Sequence, residues 1–127
     1  MSDSIFTKIL KGEIAGYKIY EDEDFFGLLD IHPKTRGHSL IIPKKEAPDV
    51  FEMDDQTLSK LMPAAKKLAQ KLKEKLGADA IKFIQNNGSQ AGQEVFHYHM
   101  HVIPYYEDKS KNEGKTNFEE IVQQINS

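Results

Sequence analysis

Residues 95–103 read VFHYHMHVI, a run of strand-forming side chains in which three alternate positions hold histidine. Residues two apart on a β-strand share a face, so a strand here turns His97, His99 and His101 to one side and the residues between them to the other. Burying an imidazole is costly unless its nitrogens are hydrogen-bonded, so a row of three makes a poor core. The row therefore predicts a functional site on one face of a strand.

Two kinds of chemistry fit this row. Neighbouring imidazoles could share a metal ion, but the outer pair lies about 13 Å apart on a strand. No His-rich or acidic motif is placed to complete the ligand set. Alternatively, one imidazole attacks phosphorus at neutral pH while its neighbours position it and move protons. This second reading requires an anion-binding group beside the histidines.

The residues that lead into the histidine row supply such a group. Residues 86–93, NNGSQAGQ, are rich in Gly and Asn. A loop of this composition can direct backbone N–H groups at phosphate oxygens. An ordinary hairpin turn explains the same composition, but beside three histidines the loop favours phosphate chemistry.

The apolar spacing elsewhere predicts an α+β fold with a mostly antiparallel sheet, one long helix and short terminal helices. Strands are predicted at 17–21, 25–30, 38–42, 80–85 and 95–103, with helices at 5–10, 58–76 and 118–125. Asp54 can cap the start of the long helix and Gly77 its end. Pro63 lies inside that helix and predicts a kink or a split. Pro104 is expected to end the last strand, and residues 108–114 to form a mobile link.

Composition narrows the class of protein. The 127 residues, 39% hydrophobic and 29% charged, predict one folded domain over 1–127. Seventeen Lys and Arg against 20 Asp and Glu leave a net charge of −3, which argues against a nucleic-acid partner held by bulk charge. The absence of cysteine excludes disulfides, thiolate metal sites and Cys nucleophiles.

The chain also lacks the usual sequence signals for export or for a membrane. The first residues, MSDS, have neither a basic nor an apolar signal region. No apolar run approaches the ~20 residues that a membrane span needs. We therefore expect a cytoplasmic protein with no membrane partner.

The histidine row and four outlying motifs together resemble the histidine triad (HIT) superfamily of nucleotide hydrolases and transferases. The motifs are IFTKI at 5–9, the pair Asp30 and Ile31, the segment GHSLIIPKK at 37–45, and the loop at 86–93. The match runs in order over about residues 4–105, which leaves 106–127 as a C-terminal extension. The resemblance implies a HIT-like fold.

The resemblance also implies roles for individual residues. His99 would be the nucleophile, His101 would contact the scissile phosphate and protonate the leaving group, His97 would orient the neighbouring imidazoles, and His38 would complete the relay. Phosphate contacts would fall on Asn86, Gly92, Gln93 and the backbone around Glu94 and Val95. Asp30 would bind the ribose, unless it is only a turn residue. The base pocket would comprise Ile5, Phe6, Ile9, Leu28 and Ile31, of which all but the last could instead be plain core.

Two departures from the family pattern and one residue that differs between its branches affect these expectations. Many members bind a structural zinc where this chain has Ser4, Thr7 and Glu46, so we expect no metal and no cofactor. Glu94 stands where a hydroxyl residue often contacts phosphate, and we expect it to influence substrate choice. Asn86 resembles the Hint-like branch, whereas the Fhit-like branch usually has Gln.

We therefore expect a Hint-like, bacterial-type enzyme that hydrolyses purine nucleoside 5′-phosphoramidates or acyl-nucleotides to the nucleoside monophosphate. The intermediate would be a covalent nucleotidyl-histidine. Because the family usually dimerises through a continuous sheet and the long helix, a homodimer is expected. Three alternatives remain: a dinucleoside polyphosphate hydrolase, a nucleotide-binding interaction module with vestigial hydrolysis, and a metal protein.

Overall fold

A five-stranded antiparallel sheet organises the computed structural model, which describes residues 3–115 and 117–127. The predicted α+β fold with one long helix and short terminal helices is confirmed. The helices are α1 (Ile5–Leu10), α2 (Asp55–Leu76) and α3 (Phe118–Ile125). The strands are β1 (Lys18–Glu21), β2 (Phe25–Leu29), β3 (Ser39–Pro43), β4 (Ala80–Ile84) and β5 (Met100–Tyr105).

The strand order brings distant parts of the sequence together. The order is β1-β2-β3-β5-β4, and each neighbouring pair is antiparallel. Leu40 on β3 pairs with His101 on β5. This register joins the segment that begins with His38 to the histidine row.

The two faces of the sheet have different coverings. α2 packs its apolar side against one face and forms the main core, which includes Tyr98, Met100 and Val102. A smaller apolar cluster lies on the other face, where Phe6 of α1 meets Leu28 of β2. The residues between the histidines thus anchor the segment in the core, as the alternation predicts.

α2 follows its sequence signals closely. The Asp54 carboxylate accepts the N–H of Thr57, and Gly77 takes the left-handed conformation after the last turn. The helix continues unbroken through Pro63, so the split is wrong and the kink stays a prediction. Pro63 lies on the exposed side, where water can satisfy the carbonyl that its missing N–H leaves free. Within the described ranges, no helix combines the length and the apolar character that crossing a membrane requires.

The predicted limits of the last strand are wrong at both ends. β5 begins at Met100 rather than 95, because the Tyr98 amide donates to the Ala47 carbonyl instead of joining a strand ladder. The strand also continues through Pro104 to Tyr105. The Pro104 carbonyl accepts the Thr35 hydroxyl, on the side that β3 no longer occupies. A residue without an N–H is tolerated at such a position.

The polar stretch predicted as a link is a hydrogen-bonded turn. A 3₁₀ helix covers Lys109–Asn112, and the Asp108 carboxylate accepts the Ser110 amide at its start. The Asn112 side chain accepts from the backbone N–H of Tyr106 and donates to its carbonyl. These bonds fasten the segment to the end of β5.

Candidate active site

Four histidines from two neighbouring segments meet on the face of the sheet opposite α2. The rings of His99 and His101 lie 5.3 Å apart between centroids, and those of His101 and His38 lie 5.2 Å apart. Phe6 contacts the rings of His97 and His99 edge-on, at 5.7 and 5.0 Å. The predicted one-sided row is therefore present, although only His101 lies within β5.

The contacts of His99 determine which of its nitrogens can react. Nδ1 lies 2.7 Å from the carbonyl oxygen of His97. A carbonyl can only accept, so Nδ1 donates its proton and Nε2 keeps a free lone pair in the neutral ring. Burial lowers the pKa of His99, which favours that neutral form at neutral pH. His99 Nε2 therefore has the protonation state that nucleophilic attack requires.

His38 and His101 form a hydrogen-bonded pair with a defined direction. The backbone N–H of Lys34 donates to Nδ1 of His38 at 3.0 Å, so the proton of the neutral His38 ring is on Nε2. That nitrogen lies 3.0 Å from Nδ1 of His101 and donates to it. His101 then carries its own proton on Nε2. Burial lowers the pKa of both rings, which favours the neutral form of the pair.

Asp30 places a carboxylate against this pair. Its Oδ2 lies 3.4 Å from Nε2 of His38 and 3.7 Å from Nδ1 of His101. Its Oδ1 accepts the backbone N–H of His32. The anion raises the pKa of both imidazoles and partly opposes the effect of burial.

The same three residues are the candidate metal ligands among the described residues, with ligand atoms within 4.8 Å of one another. The fit to a metal is poor, because the His38 nitrogen that would bind the ion carries a proton. Moving that proton to Nδ1 would set it against the N–H of Lys34. The arrangement suits proton transfer better than metal binding.

Hydrogen bonds of the Gln93 side chain stabilise the loop before the histidines. Gln93 is buried, and its side chain accepts the N–H of Gly88 and donates to the carbonyls of Pro48 and Val95. Gly88 and Gly92 both adopt positive φ, which turns the backbone tightly around a short 3₁₀ helix. Asn86 lies beside Gly92. The side chain of Gln93 therefore holds the loop in shape.

A family model described as HIT domain matches residues 11–108 of this chain. The chain belongs to the HIT family. The family expected from the histidine row and its outlying motifs is thereby confirmed.

Individual HIT relatives resemble this chain over most of its length. Adenosine 5′-monophosphoramidase HNT1 of Saccharomyces cerevisiae is 42% identical over 106 residues, which cover 84% of this chain and 65% of the yeast protein. Adenylylsulfatase HINT3 of Arabidopsis thaliana is 36% identical over 103 residues, covering 81% and 52%. The crystal structure of a Zn-bound histidine triad family protein from Mycobacterium smegmatis has a TM-score of 0.87 at 35% identity, covering 97% and 90%. A Hint-like, bacterial type agrees with these relatives.

His97 occupies a different environment from the other members of the triad in this HIT protein. It is fully buried, and its Nε2 donates to the carbonyl of Pro43 at 2.7 Å. Its Nδ1 lies 2.5 Å from the hydroxyl of Ser4, which caps α1. Glu46 accepts the backbone N–H of Ser4, and its carboxylate lies 3.8 Å from Nδ1 of His97. We name Ser4, Thr7, Glu46 and His97 the N-terminal cluster.

The N-terminal cluster does not fit a zinc ion. Ser4 and Thr7 offer hydroxyls, which bond to each other at 3.2 Å, where zinc would require thiolate, imidazole or carboxylate ligands. The cluster is instead a hydrogen-bond network that joins α1 to the histidines. The absence of a bound metal stays a prediction, which elemental analysis of the purified protein tests.

The residues predicted to form the base pocket divide into two groups in this HIT protein. Phe6 and Leu28 belong to the smaller apolar cluster, and Ile9 and Val95 pack against it. Ile5 and Ile31 are 48% and 62% exposed. The first group therefore packs as core, and Phe6 among them also contacts the rings of His97 and His99, whereas the second group leaves apolar surface free. Glu94 is exposed at the end of the loop.

Sequence reasoning missed two contributors to the site. The backbone amide of Lys34 determines the tautomer of His38, and no residue type signals a backbone group of this kind. The sequence marks Ser4 only as a replacement for a zinc ligand, whereas its hydroxyl contacts His97 directly. Its position as the N-cap of α1 could have suggested a structural role.

Proposed function

We propose that this HIT protein hydrolyses purine nucleoside 5′-phosphoramidates or acyl-nucleotides to the nucleoside monophosphate through a covalent nucleotidyl-histidine. The observation that carries the proposal is the hydrogen bond from His99 Nδ1 to the His97 carbonyl, which leaves Nε2 free to attack. The names of the yeast and plant relatives, a phosphoramidase and an adenylylsulfatase, support nucleotide hydrolysis in general.

In the first step, the lone pair of His99 Nε2 forms a bond to phosphorus. The bond from phosphorus to the leaving nitrogen or oxygen breaks, and its electron pair stays with the leaving atom. His101 supplies the proton that neutralises this atom. N–H groups of the loop at residues 86–95 stabilise the charge on the phosphate oxygens.

In the second step, water replaces the imidazole. His101, which has given up its proton, accepts one from the attacking water. The bond between phosphorus and His99 breaks, and the nucleoside monophosphate leaves. All steps use groups of this chain and require no cofactor.

Substrate binding draws on the residues around the histidines. Asp30 accepts hydrogen bonds from the ribose hydroxyls. Asn86, Gly92, Gln93, Glu94 and Val95 surround the phosphate, and Ile5, Phe6, Ile9, Leu28 and Ile31 contact the base. The exposed carboxylate of Glu94 repels the several charges of a polyphosphate leaving group more than an amine, which supports a phosphoramidate over a dinucleoside polyphosphate.

The test is release of AMP from adenosine 5′-phosphoramidate in excess chelator. We expect the wild type to be active and His99→Ala to lose at least about 10³-fold in kcat/KM, as removal of a nucleophile does elsewhere. His32→Ala, which changes an exposed histidine outside the row, is the matched control and should retain activity.

Other outcomes would redirect the proposal. Activity abolished by chelator would support a metal-dependent reaction. Faster turnover of diadenosine polyphosphates than of the phosphoramidate would support the polyphosphate hydrolase. Tight AMP binding without a covalent intermediate would support a binding module.

A further inference from the structure

The carboxylate of Asp30 faces the hydrogen bond between two histidines as well as the open site. Its Oδ2 lies 3.4 Å from Nε2 of His38 and 3.7 Å from Nδ1 of His101, and these nitrogens are 3.0 Å apart. The three side chains are only 16%, 2% and 21% exposed, so solvent screens their charges weakly.

The hydrogen bonds of the pair limit where an additional proton can go. His38 Nδ1 accepts the N–H of Lys34 and is therefore closed to protonation. The additional proton must instead reside on His101, whose Nδ1–H would then oppose the Nε2–H of His38. Asp30 Oδ2 lies 3.4 and 3.7 Å from the two nitrogens, close enough to attract the added positive charge electrostatically. The carboxylate thus makes the protonated pair compatible with its surroundings.

We propose that Asp30, besides binding ribose, is a positioning residue for proton transfer. Its carboxylate stabilises the protonated form of the His38–His101 pair, and stabilises that form less when sugar hydroxyls bind to it. The inference rests on the proposed function. His101 gives the Nε2 proton to the leaving atom and keeps the Nδ1 proton that faces Asp30. Ribose hydroxyls that donate to the carboxylate weaken its attraction for the pair, so the pair becomes a stronger acid when the sugar is in place.

Burial and several neighbouring groups raise or lower the pKa of the two histidines. Burial and the neighbouring His99 and Lys34 lower the pKa of His101, whereas Asp30 and Glu94 raise it. For His38, burial and the charges of His101 and Lys34 lower the pKa, and Asp30 raises it. Among these groups, Asp30 is the one anion that raises the pKa of both rings.

The variant that tests the proposal is Asp30→Asn, which removes the charge and keeps an Oδ1 that can accept the His32 amide. Histidine NMR titration of the free protein needs no substrate. We expect the apparent pKa of the pair to fall by at least about one pH unit in the variant. Adenosine should lower it in the wild type, and 2′,3′-dideoxyadenosine should not. Glu46→Gln, which removes a carboxylate beside His97 instead, is the control and should leave the pair unchanged.

Turnover provides the second readout. We expect the alkaline limb of kcat/KM against pH to move to lower pH in Asp30→Asn, because less of the pair is protonated at any given pH. A higher KM with unchanged titration and unchanged pH profile would overturn the proposal and leave Asp30 as a ribose contact. A shifted titration in a protein without hydrolase activity would refute the proposed function and retain the coupling.

Discussion

His97 is buried completely, yet its two nitrogens make different kinds of contact. Nε2 donates to the Pro43 carbonyl at the end of β3, and Nδ1 meets the Ser4 hydroxyl at the start of α1. The same helix carries Phe6 onto the rings of His97 and His99. At the scale of single residues, the N-terminal cluster therefore connects helix placement to the position of His99.

The substitution Ser4→Ala tests this connection. It removes an N-cap, which costs about 1 kcal/mol, and leaves Nδ1 of a buried imidazole unpaired, which costs about 1–3 kcal/mol more. We expect a lower free energy of unfolding in urea and, because a misplaced catalytic group costs up to about 10²-fold, a kcat reduced by roughly tenfold or more.

The control is Asn117→Ala, which removes the N-cap of α3 on a different part of the molecule. It should cost about 1 kcal/mol and leave kcat unchanged. If Ser4→Ala lowers stability while kcat stays at the wild-type value, the cluster supports the fold alone. Restoration of kcat by Ser4→Thr would point to the hydroxyl itself.

Individual residues also show where prediction from sequence ends. The one-sided histidine row follows from period-two spacing alone, and the apolar residues between the histidines lie in the core as that spacing requires. The tautomers of His38 and His99 depend on a backbone amide and a backbone carbonyl. Such groups are present at every residue, so only the folded geometry identifies them.

At the scale of elements, the turn before β3 is constrained by a single glycine. Gly37 has φ of +85°, and a Cβ there would lie 2.5 Å from Cδ1 of Leu76, near the end of α2. The glycine therefore lets the turn that carries His38 pack closely against the long helix.

Gly37→Ala should destabilise the protein through backbone strain and through crowding against Leu76. The left-handed backbone costs about 1–2 kcal/mol for a residue with a Cβ, and overpacking adds about 1–3 kcal/mol. Gly77→Ala is the matched control, since Gly77 has φ of +76° and nothing within 4 Å of the added carbon. Urea unfolding of both variants separates strain from crowding, and equal losses would show that Leu76 moves aside at no cost.

The limits of the elements were predictable where local signals decide them. α2 has regular apolar spacing, an acidic N-cap and a C-terminal glycine, so its limits follow from the sequence. The limits of β5 do not follow from the sequence, because a hydrogen bond from the Tyr98 amide to the Ala47 carbonyl makes the strand begin later. β3 no longer pairs with β5 at Pro104, so the strand can continue through a residue that lacks an N–H. Both are contacts between residues far apart in the sequence.

For the whole molecule, the apolar surface beside β4 is uncovered among the described residues. β4 pairs only with β5 in the part of the chain that the structure describes, so its outer edge is open. Beside it, a groove of about 570 Å³ between α2 and β4 is lined by Met62 and Phe83, which are 49% and 37% exposed. An open strand edge next to an apolar groove suits a second copy of the chain, which would extend the sheet.

We therefore expect a homodimer through this surface, and Phe83→Lys should weaken it. A charge buried at the centre of such an interface lacks a partner, so the variant should sediment as one chain at concentrations where the wild type sediments as two. Phe51→Lys is the control, because Phe51 is 83% exposed and lies outside the groove. A wild type that sediments as one chain, or a Phe83→Lys variant that stays paired, would contradict this interface.

The alternation of residues 97–102 between the two faces of the sheet also determines how this segment can vary. Each step along the backbone passes from an imidazole at the site to an anchor in the core, such as Tyr98 or Met100. Inserting or deleting one residue would exchange the two sets, which would turn the imidazoles toward the core under α2 and move the anchors into the site. A side chain can be replaced at the cost of one contact, whereas a change of length reverses the whole segment. The spacing of these residues is therefore under tighter physical constraint than the identity of most of them.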